Sequence, residues 1–139
     1  MILVDTNVIS EPLKARGDSR VVAWLDRQPA DTLFISTISV SEILFGVAAL
    51  AAGKRRNRLA AAFETAILRL FAGRVLSFDL EAARAYASLM SAARVRGLSI
   101  SIVDGQIPAI AKANGFSVAT RDEAPFRAAG LNVINPWTE

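Results

Sequence analysis

Apolar residues along this chain follow two alternating rhythms. Short unbroken runs occur at "ILV" (residues 2–4), "TLFIST" (32–37) and "RVLSFD" (74–79). They are β-branched or aromatic and too short for a helix, so they predict buried strands. Between them, apolar positions recur every three or four residues, as helices require: Val21, Val22 and Leu25, then Val40, Ile43, Leu44 and Val47 between Ser39 and Leu50. Leu59, Phe63, Ile67 and Leu70 mark one face of a helix over 55–71, and further helices span Leu80 to Arg96, closed by Gly97, and Ile102 to Asn114, closed by Gly115. "FSVAT" (116–120) and "NVIN" (132–135) add a fourth and a fifth strand. Strands alternating with helices, without repeat or linker, predict a single α/β domain over residues 1–139 with a parallel sheet. Pro108 falls about one turn into its helix, where it lacks an N–H and crowds the carbonyl of Asp104, so that helix is expected to start late or bend.

Composition narrows the chemistry more than the fold. The 139 residues are 53% hydrophobic, enough for one domain with a real core. No apolar run approaches the roughly 18 residues of a membrane span, and "MILVDTN" lacks the basic region of a signal peptide, so a cytoplasmic location is expected. There is no cysteine and no histidine. Disulfides, thiolate zinc sites, cysteine nucleophiles, serine–histidine–aspartate triads and two-histidine ribonuclease mechanisms are thereby excluded. Hydrolysis by this chain must use carboxylates, lysine, or a metal held by oxygen. The net charge is +3, and 13 of the 16 basic residues are arginine; this fits a polyanionic partner, and charge alone fits a merely soluble surface equally well.

Four acids stand where an open parallel sheet gathers its ligands, at strand C-termini and helix N-termini. Asp5 follows the first strand, Glu42 lies early in the helix after the second, Asp104 opens a helix behind Ser101, and Asp122 follows the fourth strand in "VATRD". Each has a structural alternative. Asp5 suits an N-cap, Glu42 completes a capping box begun by Ser39, Asp104 complements a helix dipole, and Asp122 suits a turn. Their coincidence at one edge points to a shared cause. Two carboxylates ~4 Å apart repel by about 4 kcal/mol at an effective dielectric near 20, so a cluster requires protons or a cation. Oxygen ligands suit Mg²⁺ or Mn²⁺, and such an ion activates water and stabilises phosphodiester charge without histidine. Thr6 and Thr120 are placed to orient the acids or water, or to cap strand ends.

The segments "ILVDTNVISE", "ISVSEILFGV", "SIVDGQIPAIAKANG" and "VATRD", in that order and spacing, resemble the PIN-domain ribonucleases, and more narrowly the VapC-type toxins of bacterial toxin–antitoxin systems. The resemblance covers essentially the whole chain. It implies a PIN-like three-layer fold, a five-stranded parallel sheet of order 3-2-1-4-5 flanked by helices. It also implies that Asp5 is the central metal ligand, Glu42 and Asp104 its partners, and Asp122 a peripheral acid serving a second ion or the water. Family members cleave RNA with Mg²⁺ or Mn²⁺, commonly form homodimers, and are neutralised by a small VapB-like antitoxin through which they meet operator DNA. Two departures from the family pattern are Pro108 and Gly105, the latter expected to loosen its turn.

The densest basic run, "GKRRNR" (53–58), could guide RNA or be a solvated loop, while Arg121 could touch a scissile phosphate or pair with an acid. Trp24 and Trp137 read as core or interface. The expectation is a metal-dependent ribonuclease acting as a toxin. The alternative is a regulatory module that works mainly with a DNA-binding antitoxin in operator repression, with weak or no catalysis. A flap or 5′ nuclease is disfavoured, because the chain is too short for a helical arch.

Overall fold

β1 (Ile2–Val4) forms the centre of a five-stranded, all-parallel sheet in the computed structural model, which describes residues 1–139. The strand order is β3-β2-β1-β4-β5, with β2 at Leu33–Ser36, β3 at Val75–Leu76, β4 at Ser117–Ala119 and β5 at Val133–Ile134. Ile2 is in register with Leu33 on one side and with Ser117 on the other. Because the chain winds from β1 to β2 one way and returns to β4 on the opposite flank, strand order reverses beside β1, where an open α/β sheet leaves a crevice at its carboxyl edge. This is the PIN-like topology that the family resemblance implies.

Alternation along β1 splits the core into two layers. Val4 points into one cluster with Val8, Val21, Trp24, Ile35, Ile43 and Phe63; Leu3 points into the other with Ala82, Ile107, Ile110, Val118 and Phe126. Both faces of the central strand are therefore covered, which is why its sequence is continuously apolar. Helices α1 (Thr6–Ile9), α2 (Ser19–Arg27), α3 (Thr37–Ala48) and α4 (Lys54–Ala62) supply the first layer, and α5 (Leu80–Val95), α6 (Ile102–Asn114) and α7 (Glu123–Ala128) the second.

Three local expectations need correction, and one at Pro108 is narrowed. α3 is capped by Ser36, whose hydroxyl accepts from the Ser39 N–H at 3.0 Å. The helix thus starts two residues before Ser39, and Glu42 lies in its second turn and belongs to no capping box. The helix expected over 55–71 passes into a π-helical stretch at Phe63–Leu68. Its wider turn rotates the later positions, so Phe71 is buried and Leu70 is left 53% exposed. α6 runs from Ile102 to Asn114 as expected, so Pro108 does not delay its start, and the proline ring is fully buried. Packing outweighs the lost N–H. Gly105 loosens nothing: a Cβ there would stand 2.9 Å from Met90 Sδ and 3.0 Å from Tyr86 Cε2, so the glycine lets α5 and α6 pack closely.

The link after α1 is built around a buried carboxylate. Glu11 begins a 3₁₀ turn (Glu11–Leu13), accepts from the Asp18 N–H at 2.8 Å and pairs with Lys14. A side chain on Gly17 would lie 2.2 Å from the Glu11 carbonyl oxygen, which explains the glycine. Burial raises the Glu11 pKa, but the bonds from Lys14 and Asp18 outweigh it and hold the carboxyl below its ordinary 4.5. A depressed carboxylate stabilises the fold fully above its unfolded value and loses that contribution as pH falls through its folded one. Glu11→Gln is accordingly expected to lower stability by about 1–2 kcal/mol at pH 7. In urea unfolding, the gap from wild type should narrow at pH 3; an equal gap at both values would contradict the assignment.

Candidate metal centre

Asp5 ends β1 and caps α1, so the cap and the site are one residue. Its backbone N–H joins the sheet through the Ala119 carbonyl at 2.9 Å. One carboxylate oxygen, Oδ1, accepts from the Thr6 N–H at 2.8 Å. The other, Oδ2, accepts from the Thr120 hydroxyl at 2.7 Å and from Asn7 Nδ2 at 2.8 Å. Thr120, fully buried at the end of β4, also accepts from the Asp122 N–H at 3.1 Å and from Asn7 Nδ2 at 3.2 Å. Asn7 Oδ1 in turn accepts the Arg121 N–H at 3.2 Å. The ends of β1 and β4 are thus fastened by one network running Asp5–Thr120–Asn7.

All four acids line a single cavity of about 300 Å³, with Thr6, Asn7 and an apolar wall of Val103, Ile107, Pro125 and Phe126. Glu42 reaches it from α3 and Asp104 from the first turn of α6, where the Asp104 N–H donates to the capping Ser101 hydroxyl at 3.1 Å. Asp122 stands just before α7 and makes no side-chain capping bond. Only Asp5 is buried, at 7% exposure; Glu42, Asp104 and Asp122 are open to solvent. Burial pushes the Asp5 carboxyl above its ordinary 3.8 and the charge of Glu42 adds to the push, while the bonds from Thr120, Thr6 and Asn7 resist it.

These residues suit a hard divalent cation. The donors are all oxygen, the buried acid carries a charge that its surroundings disfavour, and Thr6 Oγ1 is buried without a hydrogen-bond partner. No three acids gather closely enough to hold an ion by themselves. A hard divalent cation there would take one or two of these carboxylates, with water completing its shell.

Arg121 pairs with no acid. Its guanidinium lies 5.1 Å from the centre of the Trp137 ring, and its charge contributes to lowering the Glu11 pKa. Trp24 is core, and in the basic run only Arg56 is half-buried. Sequence reasoning did not assign Asn7 or the apolar wall to the site. The signal for Asn7 was an amide side chain in a helical first turn, a poor place for it unless it bonds elsewhere.

The family profile "PIN domain" matches residues 2–131, and the chain belongs to the PIN-domain family. Curated relatives match over almost their full length, two of them as follows. VapC ribonuclease Y4jK of Sinorhizobium fredii is 54% identical over 137 residues, covering 99% of this chain and 98% of that one. Toxin FitB of Neisseria gonorrhoeae is 49% identical over 137 residues, covering 99% of each. Likeness to FitB had been legible in "EPLKARGDSRVVAWLD" and "NVINPW". Among solved structures, FitAcB from Neisseria gonorrhoeae superposes with a TM-score of 0.96 at 48% identity over the whole of both chains. FitAB bound to an IR36 DNA fragment gives 0.94 at 49% identity, covering 99% of this chain and 96% of that one.

Proposed function

We propose that this protein is the toxin of a type II toxin–antitoxin pair and acts as a Mg²⁺- or Mn²⁺-dependent endoribonuclease. One observation carries the reading: four carboxylates from four separate segments of a histidine-free, cysteine-free chain line one cavity at the carboxyl edge of the sheet. Asp5 is the central ligand, Glu42 and Asp104 are its partners, and Asp122 serves a second ion or the water. The ion, when bound, supplies Lewis acidity toward water and the phosphodiester. The protein supplies the rest. Thr120 and Asn7 fix the Asp5 carboxylate, and Val103, Ile107 and Phe126 exclude water from one wall of the cavity. In a chain that offers no imidazole, the exposed carboxylates are also the groups available to accept a proton from attacking water.

Relatives support an antitoxin partner and, through it, DNA. FitB is found with FitA, and that pair is found on DNA; this chain would likewise be held by a VapB- or FitA-like antitoxin, meet operator DNA only through it, and form a homodimer. No helix is long and apolar enough to cross a membrane.

Purified protein is expected to cleave RNA with Mg²⁺ or Mn²⁺ and to stop in EDTA. Glu42→Gln should lower cleavage about a hundredfold without lowering the thermal midpoint, since it removes a like charge near Asp5. Undiminished cleavage in EDTA would end the metal reading. DNA binding by the antitoxin complex, with no RNA cleavage by the free toxin, would replace it with operator repression.

A further inference from the structure

Beside the acid cavity lies a second one of about 210 Å³, and the two share the walls Asp104, Asp122 and Pro125. Leu98 and Ile100, from the link between α5 and α6, and Ala124 and Ala128, from α7, form its apolar sides. Ser99 is its only hydroxyl. We propose that this cavity is a nucleobase subsite, receiving the base of one nucleotide next to the scissile phosphate. The proposal rests on the ribonuclease reading, which brings a phosphodiester to the shared carboxylate wall.

Three features of the cavity select such an occupant. Continuity through Asp104 and Asp122 places it directly beside the acid cavity. Its size admits a single flat ring system and excludes a base pair, so the strand must be unpaired there, as base-specific RNA recognition generally requires. Its lining offers aliphatic surface for the ring faces. Around that surface, the Ser99 hydroxyl and the carboxylate oxygens of Asp104 and Asp122 that an ion leaves free are acceptors for base N–H groups. No aromatic side chain lines it, so recognition works by fit and edge bonding and not by stacking. Leu98 is 43% exposed and its neighbour Ile102 is 69% exposed, which leaves the approach open.

The test uses the whole protein and short single-stranded oligoribonucleotides. These carry each of the four bases, or an abasic ribose, at each position flanking the cleaved bond. The wild type should show kcat/KM about tenfold lower for the abasic substrate at one flanking position only, the loss expected when an apolar pocket goes unfilled. Ala124→Trp and Ala128→Leu each fill the cavity from a solvent-facing helix, and either should bring the ratio of base-bearing to abasic kcat/KM close to one. Binding of the same oligonucleotides in EDTA, where turnover stops, should show the same convergence in affinity. Cleavage that ignores the abasic replacement everywhere, or a ratio that both variants leave intact, would overturn the subsite and leave the ribonuclease reading standing. Absence of any cleavage by the wild type would overturn both. Unaltered ratios with a dimer that dissociates, measured by light scattering on the same variants, would assign the cavity to a second copy of the chain and overturn the nucleobase.

Discussion

Asparagine in place of Asp5 is expected to reduce RNA cleavage about a thousandfold, equivalent to about 4 kcal/mol of barrier, in a protein that remains folded. The two halves of that expectation have separate origins. Asparagine keeps a carbonyl oxygen that can accept from the Thr6 N–H and so retains the cap. It loses the anion, the one group at the site that is both buried and charged. Stability should shift by no more than about 1 kcal/mol, because two effects oppose each other. The amide nitrogen meets two donors, Asn7 Nδ2 and the Thr120 hydroxyl, but the desolvation that pushes the carboxyl upward disappears. The pH signature is opposite in sign to that of Glu11. A carboxylate raised by burial destabilises the fold above its folded pKa and is relieved as pH falls toward 3.8. Asp5→Asn should therefore compare more favourably with wild type at pH 7 than at pH 4 in EDTA. Single-turnover cleavage and urea unfolding measure the two halves, and retained cleavage would remove Asp5 from the centre.

The second large effect is expected at Thr120. Thr120→Val keeps the shape of a fully buried side chain and deletes one hydroxyl, which donates to Asp5 and accepts from Asn7 and the Asp122 N–H. Leaving those groups unpaired should cost about 2–3 kcal/mol of stability. Cleavage should drop about 10–100-fold, as for other groups that orient a metal ligand. Thr120→Ser, which restores the hydroxyl, should recover most of the cleavage even though it leaves a methyl-sized void. A serine variant no more active than the valine one would reduce Thr120 to a packing residue.

How much of this was legible beforehand varied with the range of the forces involved. β1 and α6 were readable residue by residue, since "ILV" admits no helix and Ser101 and Gly115 punctuate α6 from both ends. The placing of the four acids at one edge was legible too, because parallel connections make each strand's C-terminus a shared address. α1 and α7, of four and six residues, are too short for any periodicity to register. The π turn at Phe63 escaped because tertiary packing decides it against local preference. Gly105 was misread for the same reason: its meaning lies in Tyr86 and Met90, and no inspection of its own neighbours would reveal them. The Thr120 bond spans 115 positions and has no local signature.

The central strand pairs with residues 117–119, and 117 positions separate Asp5 from Asp122. A ribosome adds those positions at about 5–20 residues per second, so several seconds or more separate the first acid from the fourth. The acid-lined cavity is consequently among the last features to close, once β4 has been made and paired with β1.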